Sequence, residues 1–198
     1  MAAIVRLKIT LDDVKPQVLR RIDVPVAIRP DRLHLALQAA LGWTNSHLWE
    51  IRVSDTGWGP KFEDDWGDGP LDAARARLID VLEDTGARTL HYLYDFGDSW
   101  EHTIKIERIG DALPEIDYPV LVEARGRCPP EDVGGFPGYE EFLDALADRK
   151  HPRRAEFVEW HGAAFDPNDL DIDAISAELE ALAGTWSRKP RVKRPRKS

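Results

Sequence analysis

The sequence predicts an α+β fold: a mixed, largely antiparallel sheet with one helix packed on it, and a helical C-terminal third. Three observations predict it. In residues 92–106, two runs with a period of two flank a short acidic segment, which reads as a β-hairpin. The first fifty or so residues read strand, strand, helix, strand with short connections, an order that favours a sheet with a helix on one face. From residue 137 onward the apolar spacing turns helical.

Taken in order, Val5, Leu7, Ile9 and Leu11 alternate with Arg6, Lys8 and Thr10 as a first strand. A turn at 12–16 leads to a second strand at 18–24, ended by Pro25. Pro30 opens a helix in which Leu33, Ala36, Leu37, Ala40 and Leu41 share a face, and Gly42 stops it. Trp49, Ile51 and Val53 mark a third strand. Residues 54–70 are dense in Gly, Pro and Asp and read as a long exposed loop. Trp58 and Trp66 within it have two readings, a recognition surface or rings folded back over the sheet. Residues 73–83 fit either a helix or a short strand entering one.

In the hairpin, Leu90, Tyr92, Tyr94 and Phe96 line one face, as do Trp100, His102, Ile104 and Ile106 after the turn. Glu101, Thr103, Lys105 and Glu107 occupy the opposite face, as in a half-exposed antiparallel sheet. Asp95-Phe96-Gly97-Asp98 supplies the turn, with Gly97 expected at positive φ and the Asp carboxylates accepting backbone N–H groups two residues on. Residues 109–135 read as irregular because they are rich in proline. Three helices are expected beyond: one from Pro137 with Tyr139, Phe142, Leu143 and Leu146; one over 152–161, stopped by Gly162; and one over 171–183 with Ile172, Ile175, Leu179 and Leu182 inside. Residues 1–186 read as a single domain and 187–198 as a disordered basic tail.

The 198 residues, 42% hydrophobic, suffice for a sizeable core. No run is long and apolar enough for a membrane span, and the first residues enter a strand without a signal-like segment, so a cytoplasmic protein with no membrane partner is expected. The single cysteine, Cys128, excludes an intrachain disulfide and suits a reducing compartment. The net charge of −9 hides an asymmetry: Arg188, Lys189, Arg191, Lys193, Arg194, Arg196 and Lys197 crowd the last twelve residues, and the rest holds 20 basic against 36 acidic residues, a charge of −16. The body repels nucleic acid, while the tail either serves solubility or makes weak, nonspecific phosphate contacts.

Motifs for the common chemistries are missing. Asp95-Phe96-Gly97 spells a kinase metal-binding tripeptide without a glycine-rich loop or catalytic His-Arg-Asp set. No Walker loop, nucleophile elbow or His-Glu-x-x-His helix is found, and no cofactor, catalytic set or metal-ligand set is assigned. The candidate polar cluster is Asp95, Asp98, Glu101 and His102 in and beside the hairpin, joined by Glu131 and Asp132 if a distant loop folds against it. Such carboxylates and a histidine hold a divalent cation or act as general acid and base when they converge. As neighbours on a strand, however, Glu101 and His102 point to opposite faces.

The blocks Tyr94-Asp95-Phe96-Gly97-Asp98-Ser99-Trp100-Glu101-His102, Cys128-Pro129-Pro130-Glu131-Asp132-Val133-Gly134-Gly135-Phe136-Pro137-Gly138-Tyr139-Glu140-Glu141-Phe142 and Phe165-Asp166-Pro167 resemble the signatures of the Ri-plasmid ORF-three family. Residues 16–21 and Leu41-Gly42-Trp43-Thr44-Asn45-Ser46-His47-Leu48 match its other blocks, so the resemblance spans roughly residues 4–182. It implies an α+β fold with C-terminal helices and an association with mobile elements, and no reaction. Relatives carry further cysteines near Cys128, one of them where this chain has Val133, so a Cys-based zinc site is disfavoured here and Cys128 is a buried small residue or an exposed thiol. The family's TnpR-like label implies a recombinase, yet the first strands hold no serine nucleophile. Two classes of function follow: the favoured one is a non-enzymatic binding or interaction module with an unknown protein partner, and the alternative is a metal-binding protein or hydrolase built on the acidic hairpin and the Cys-Pro-Pro-Glu-Asp loop.

If the tail contacts phosphates, gel shifts will show weak binding with a log–log salt slope no steeper than about −6, lost in a chain ending at Trp186. Equal binding by both chains refutes a role for the tail.

Overall fold

The computed structural model describes residues 3–61 and 69–187; Trp66 and the seven tail cations lie outside them. In chain order the elements are β1 (Ala3–Leu11), β2 (Leu19–Pro25), α1 (Pro30–Leu41), β3 (Trp49–Val53), β4 (Thr56–Gly59), β5 (Leu71–Asp72), α2 (Leu78–Thr85), β6 (Thr89–Tyr94), β7 (Trp100–Asp111), β8 (Val120–Arg125), α3 (Gly135–Ala147), α4 (Arg154–His161) and α5 (Ile172–Ser187). The strands form one sheet in the order β5-β4-β3-β6-β7-β1-β2-β8. Every pairing is antiparallel except β4 with β5. This is the expected α+β class, with α1 carrying the chain from the β1–β2 half of the sheet to the β3–β4 half.

One face of the sheet is the core. Val5, Leu7, Ile9 and Leu11 of β1 lie beside Ile22 and Val24 of β2, and Tyr92, Tyr94, Trp100, His102 and Ile104 continue that face across the hairpin. The other face is polar and laced with ion pairs, Arg6–Asp23 at 2.8 Å, Arg21–Glu107 at 2.9 Å and Arg52–Glu101 at 2.6 Å. Each pair is partly exposed and adds little stability, but together they discourage a second sheet from packing there.

α1 is buried over most of its circumference because α5 lies on it as well as the sheet. Pro30 sets the first helical φ, and Gly42 closes the helix at φ +82°, donating its N–H to the Gln38 carbonyl. α5 runs antiparallel to α1, with Trp186 beneath the Arg32 guanidinium at one end and Ile175 beside Leu41 at the other. Farther along the chain, Phe142 of α3 meets Phe157 and Trp160 of α4 and Phe165 beyond it, a second aromatic core for the helical third.

Several expectations need correction. Phe96 is half exposed, since the turn leaves the strand path after Tyr94. The left-handed residues of the turn are Asp95 (φ +57°) and Ser99 (φ +54°), and Gly97 is not among them. Residues 54–70 are not wholly a loop, because β4 pairs with β3 and buries Trp58. Residues 109–135 are not wholly irregular either. β7 runs to Asp111, and β8 adds an edge strand to β2 whose partly covered residues show no alternation. The ambiguous 73–83 segment resolves into α2, and α5 continues through Ser187. Ile172, expected inside, is exposed, and the buried stripe is Ile175, Leu179 and Ala183.

Two buried polar systems tie these layers together. Arg20 is 0% exposed on the core face of β2. Its guanidinium donates to Ala40 O at the C-terminal end of α1 (2.6 Å), to Leu19 O (2.8 Å) and to Arg125 O at the end of β8 (2.7 Å), and reaches Cys128 Sγ at 3.8 Å. Burial lowers the guanidinium pKa, but arginine starts so high that it keeps its proton. The second system is a closed ring. Gln38 Nε2 donates to the Tyr92 hydroxyl, which lies 2.8 Å from His34 Nδ1; His34 Nε2 lies 2.5 Å from Asn45 Oδ1; and Asn45 N–H donates to Gln38 Oε1. Asn45 Oδ1 only accepts, so His34 carries its proton on Nε2 and receives the Tyr92 hydroxyl proton at Nδ1. His102 Nδ1 donates to Tyr92 O at 3.0 Å, leaving Nε2 buried without a partner.

Arg20→Met keeps the volume but strands three carbonyl acceptors, at about 1 kcal/mol or more each, so urea unfolding will show a loss of about 2–4 kcal/mol. Burial pushes His34 and His102 down to about 4, so both are neutral in the fold. The unfolded chain therefore binds more protons between about pH 6.5 and pH 4, and stability falls through that window as pH drops, by roughly 3 kcal/mol per histidine. Urea midpoints measured from pH 7 to pH 4.5 will fall accordingly, and less steeply in His102→Gln.

Candidate functional site

The cluster foreseen around the hairpin forms in part. Glu101 is drawn onto the open face by Arg52, and His102 lies in the core, so neither joins a site. The other four, Asp95, Asp98, Glu131 and Asp132, meet where the loop after β8 folds against the hairpin turn.

The loop is held at many points. Arg20 grips its start through Arg125 O and Cys128, and Trp43 Nε1 donates to Pro129 O at 3.0 Å. Glu131 accepts the Tyr94 hydroxyl at 2.5 Å on one oxygen, and Thr44 N–H (3.0 Å) and the Thr44 hydroxyl (2.5 Å) on the other. Tyr94 also accepts Ser46 N–H at 3.0 Å. Its pKa is raised by burial and by the Glu131 contact, so it stays a donor. Asp98 accepts Gly134 N–H at 3.1 Å. Gly135 follows at φ +66°, where a Cβ would lie 2.5 Å from Asp98 O, so only glycine permits this approach.

These contacts carry Asp132 to His47. Its Oδ1 lies 3.2 Å from His47 Nε2, and Asp95 Oδ2 lies 3.6 Å from His47 Nδ1. One ligand atom from each of the three falls within 4.8 Å of the others. Asp95 is only 8% exposed, and its second oxygen accepts Gly97 N–H (2.9 Å) and Asp98 N–H (3.3 Å), which locks the carboxylate in place. His47 Nε2 is buried without a well-formed hydrogen bond, while Asp132 opens to solvent. Asn45, Asp95 and Asp132 all take left-handed backbone at φ +57° to +61°, which Asn and Asp tolerate best because their side chains bond locally. Such strain tends to gather at functional sites.

Chemically, one imidazole nitrogen and two carboxylate oxygens suit a borderline divalent cation such as Mn²⁺ or Zn²⁺, and three protein ligands leave positions for water. Cys128 takes no part. Its thiol is buried, and burial pushes its pKa up to about 11 against the opposing pull of Arg20.

His47 was missed as a site residue, although it lies in a polar loop just past the Gly42 stop. Its partner is set by register: Trp49 pairs with Tyr94, so Leu48 falls beside Asp95 and Asp95 N–H donates to Leu48 O at 2.9 Å. Without the β3–β6 pairing, nothing in the sequence joins positions so far apart.

The comparisons agree with one another. The chain is 52% identical over 194 residues, 98% of its length and 99% of the relative's, to the uncharacterized protein y4hQ of Sinorhizobium fredii (strain NBRC 101917 / NGR234). The fold is similar to the crystal structure of a protein of unknown function, MM3350, from Methanosarcina mazei Go1, with a TM-score of 0.78, 30% identity, and coverage of 90% of this chain and 98% of that one. No helix among the described residues is long and apolar enough to cross a membrane. With the plasmid pRiA4b ORF-3-like family model matching residues 3–174, and the hairpin and Cys-Pro-Pro-Glu-Asp blocks packed together as one unit, this chain belongs to the plasmid pRiA4b ORF-3-like family.

Proposed function

We propose that this is a divalent-cation-binding protein in which His47, Asp95 and Asp132 supply the protein ligands. The observation that carries this reading is the convergence of the three side chains, which come from separate segments and have ligand atoms within 4.8 Å of one another. Asp95 is held by its turn and His47 by the strand register, so binding orders little beyond the exposed Asp132 carboxylate. Three protein ligands would leave room for a water on the cation, and in the hydrolase variant of this reading the cation would supply the activation of that water.

A second reading, a non-enzymatic interaction module associated with mobile elements, is favoured by two large apolar side chains beside the triad. Leu48 and Phe96 are 48% and 50% exposed and directly follow His47 and Asp95. Exposed apolar side chains around a polar centre suit a protein partner. In this reading the basic tail adds weak phosphate contact. The lone cysteine suits the reducing cytoplasm.

Titration calorimetry of the full chain will show binding of Mn²⁺ or Zn²⁺ in preference to Ca²⁺, which favours all-oxygen sites. Asp132→Asn and His47→Gln will each weaken it about tenfold or more, or about 1.4 kcal/mol. Absence of binding at millimolar metal, or affinity unchanged in both variants, rules the cation site out and leaves the interaction module.

A further inference from the structure

A separate cleft of about 530 Å³ borders the same loop, between the C-terminal end of α1, the stretch Arg127–Glu131, the end of α4 and the start of α5. This volume falls in the range of small-molecule sites. Trp43, Phe165 and Ile175 give it an apolar wall, and Arg127, Cys128 and His161 a polar one.

The polar wall holds a cation at one end, while the carboxylates of the cleft lie elsewhere along its lining. Arg127 lies over Phe165, 4.7 Å from the ring centroid, and makes no ion pair among the described residues. His161 packs edge-on against the same ring at 5.5 Å, and its Nδ1 is buried without a partner. Behind Cys128 sits Arg20, fully buried and bonded to carbonyl oxygens and the thiol rather than to any carboxylate. Two guanidinium charges thus bear on one end of the cleft, in a chain that is otherwise acidic. Asp169 and Asp171 line the cleft as well but are exposed to water, and they oppose a second negative charge on the ligand. Glu131 is already engaged by Thr44 and Tyr94.

We propose that this cleft binds a small organic monocarboxylate, its carboxylate on Arg127 and His161 and its apolar body against Trp43, Phe165 and Ile175. Arginine suits the head group because its planar fork matches a carboxylate in two parallel hydrogen bonds. The site is independent of the cation reading, since it uses none of His47, Asp95 or Asp132.

The test is calorimetry on the full chain with hexanoate and phenylacetate as probes, and with acetate, inorganic phosphate and hexylamine as comparisons. Hexanoate or phenylacetate will bind more tightly than the other three, and Arg127→Met, which keeps an apolar stem against Phe165, will weaken it about tenfold or more. His161→Gln, a milder change, will weaken it about threefold with the thermal midpoint preserved, so the outcome stands even if the arginine variant folds poorly. Failure of both organic acids to bind at millimolar concentration overturns the proposal. So does equal or tighter binding of phosphate or hexylamine, or affinity untouched by both substitutions.

Discussion

A single buried guanidinium holds the layers of this protein in register. Arg20 projects from β2 into the core, where its hydrogen bonds end on the last turn of α1, on its own strand and on the end of β8. An ion in such a place is costly unless its donors are met, and here they are met by backbone oxygens. The carbonyl at the α1 terminus carries the negative end of the helix dipole, so the cation is suited to that position. Because the same guanidinium reaches Arg125 and Cys128, the sheet edge, the helix and the start of the Cys-Pro-Pro-Glu-Asp loop are fixed relative to one another.

The ring of Gln38, Tyr92, His34 and Asn45 extends that order toward the surface. It rests on His34 and Gln38 of α1 and holds Asn45 in its left-handed conformation two residues before His47. Tyr94 and Glu131 then join the same loop to the one after β8. The triad is therefore assembled by polar contacts that are already satisfied without it. Asp95 and Asp132, both in left-handed backbone, flank the His47 imidazole.

The legibility of the chain follows burial. β1, α1, β3 and the hairpin strands were readable because each has one buried face, so the period of two or of 3.6 survives in the residue order. β8 was unreadable because an edge strand covered on neither face cleanly shows no period, and β4 because Gly-Trp-Gly reads locally as loop. Glu101 and His102 lie on opposite faces, as neighbours on a strand must, and the Asp95 carboxylate accepts the N–H two residues on, as its turn chemistry requires. Gly97 is the natural choice for positive φ, yet Asp95 and Ser99 take that role, with Ser99 N–H donating to the Asp95 carbonyl across the turn. Two of the three residues of the site are visible in the sequence, since Asp95 and Asp132 lie in conspicuous acidic blocks. His47 is not, because its place depends on a strand pairing that no local pattern encodes.

The antiparallel packing of α5 on α1 sets a distance as well as a contact. Trp186, the last residue but one of α5, lies at the Arg32 end of α1, while the loop carrying His47 leaves from the Gly42 end. The twelve residues of α1 span about 18 Å. Ser187, at the end of α5, is thus a full helix length from Gly42, and α1 acts as a rigid ruler between the two. A molecule that touches Ser187 and the Gly42–Trp43 end of the helix at once must itself be elongated, on the scale of several nucleotides or an extended peptide rather than a single metabolite.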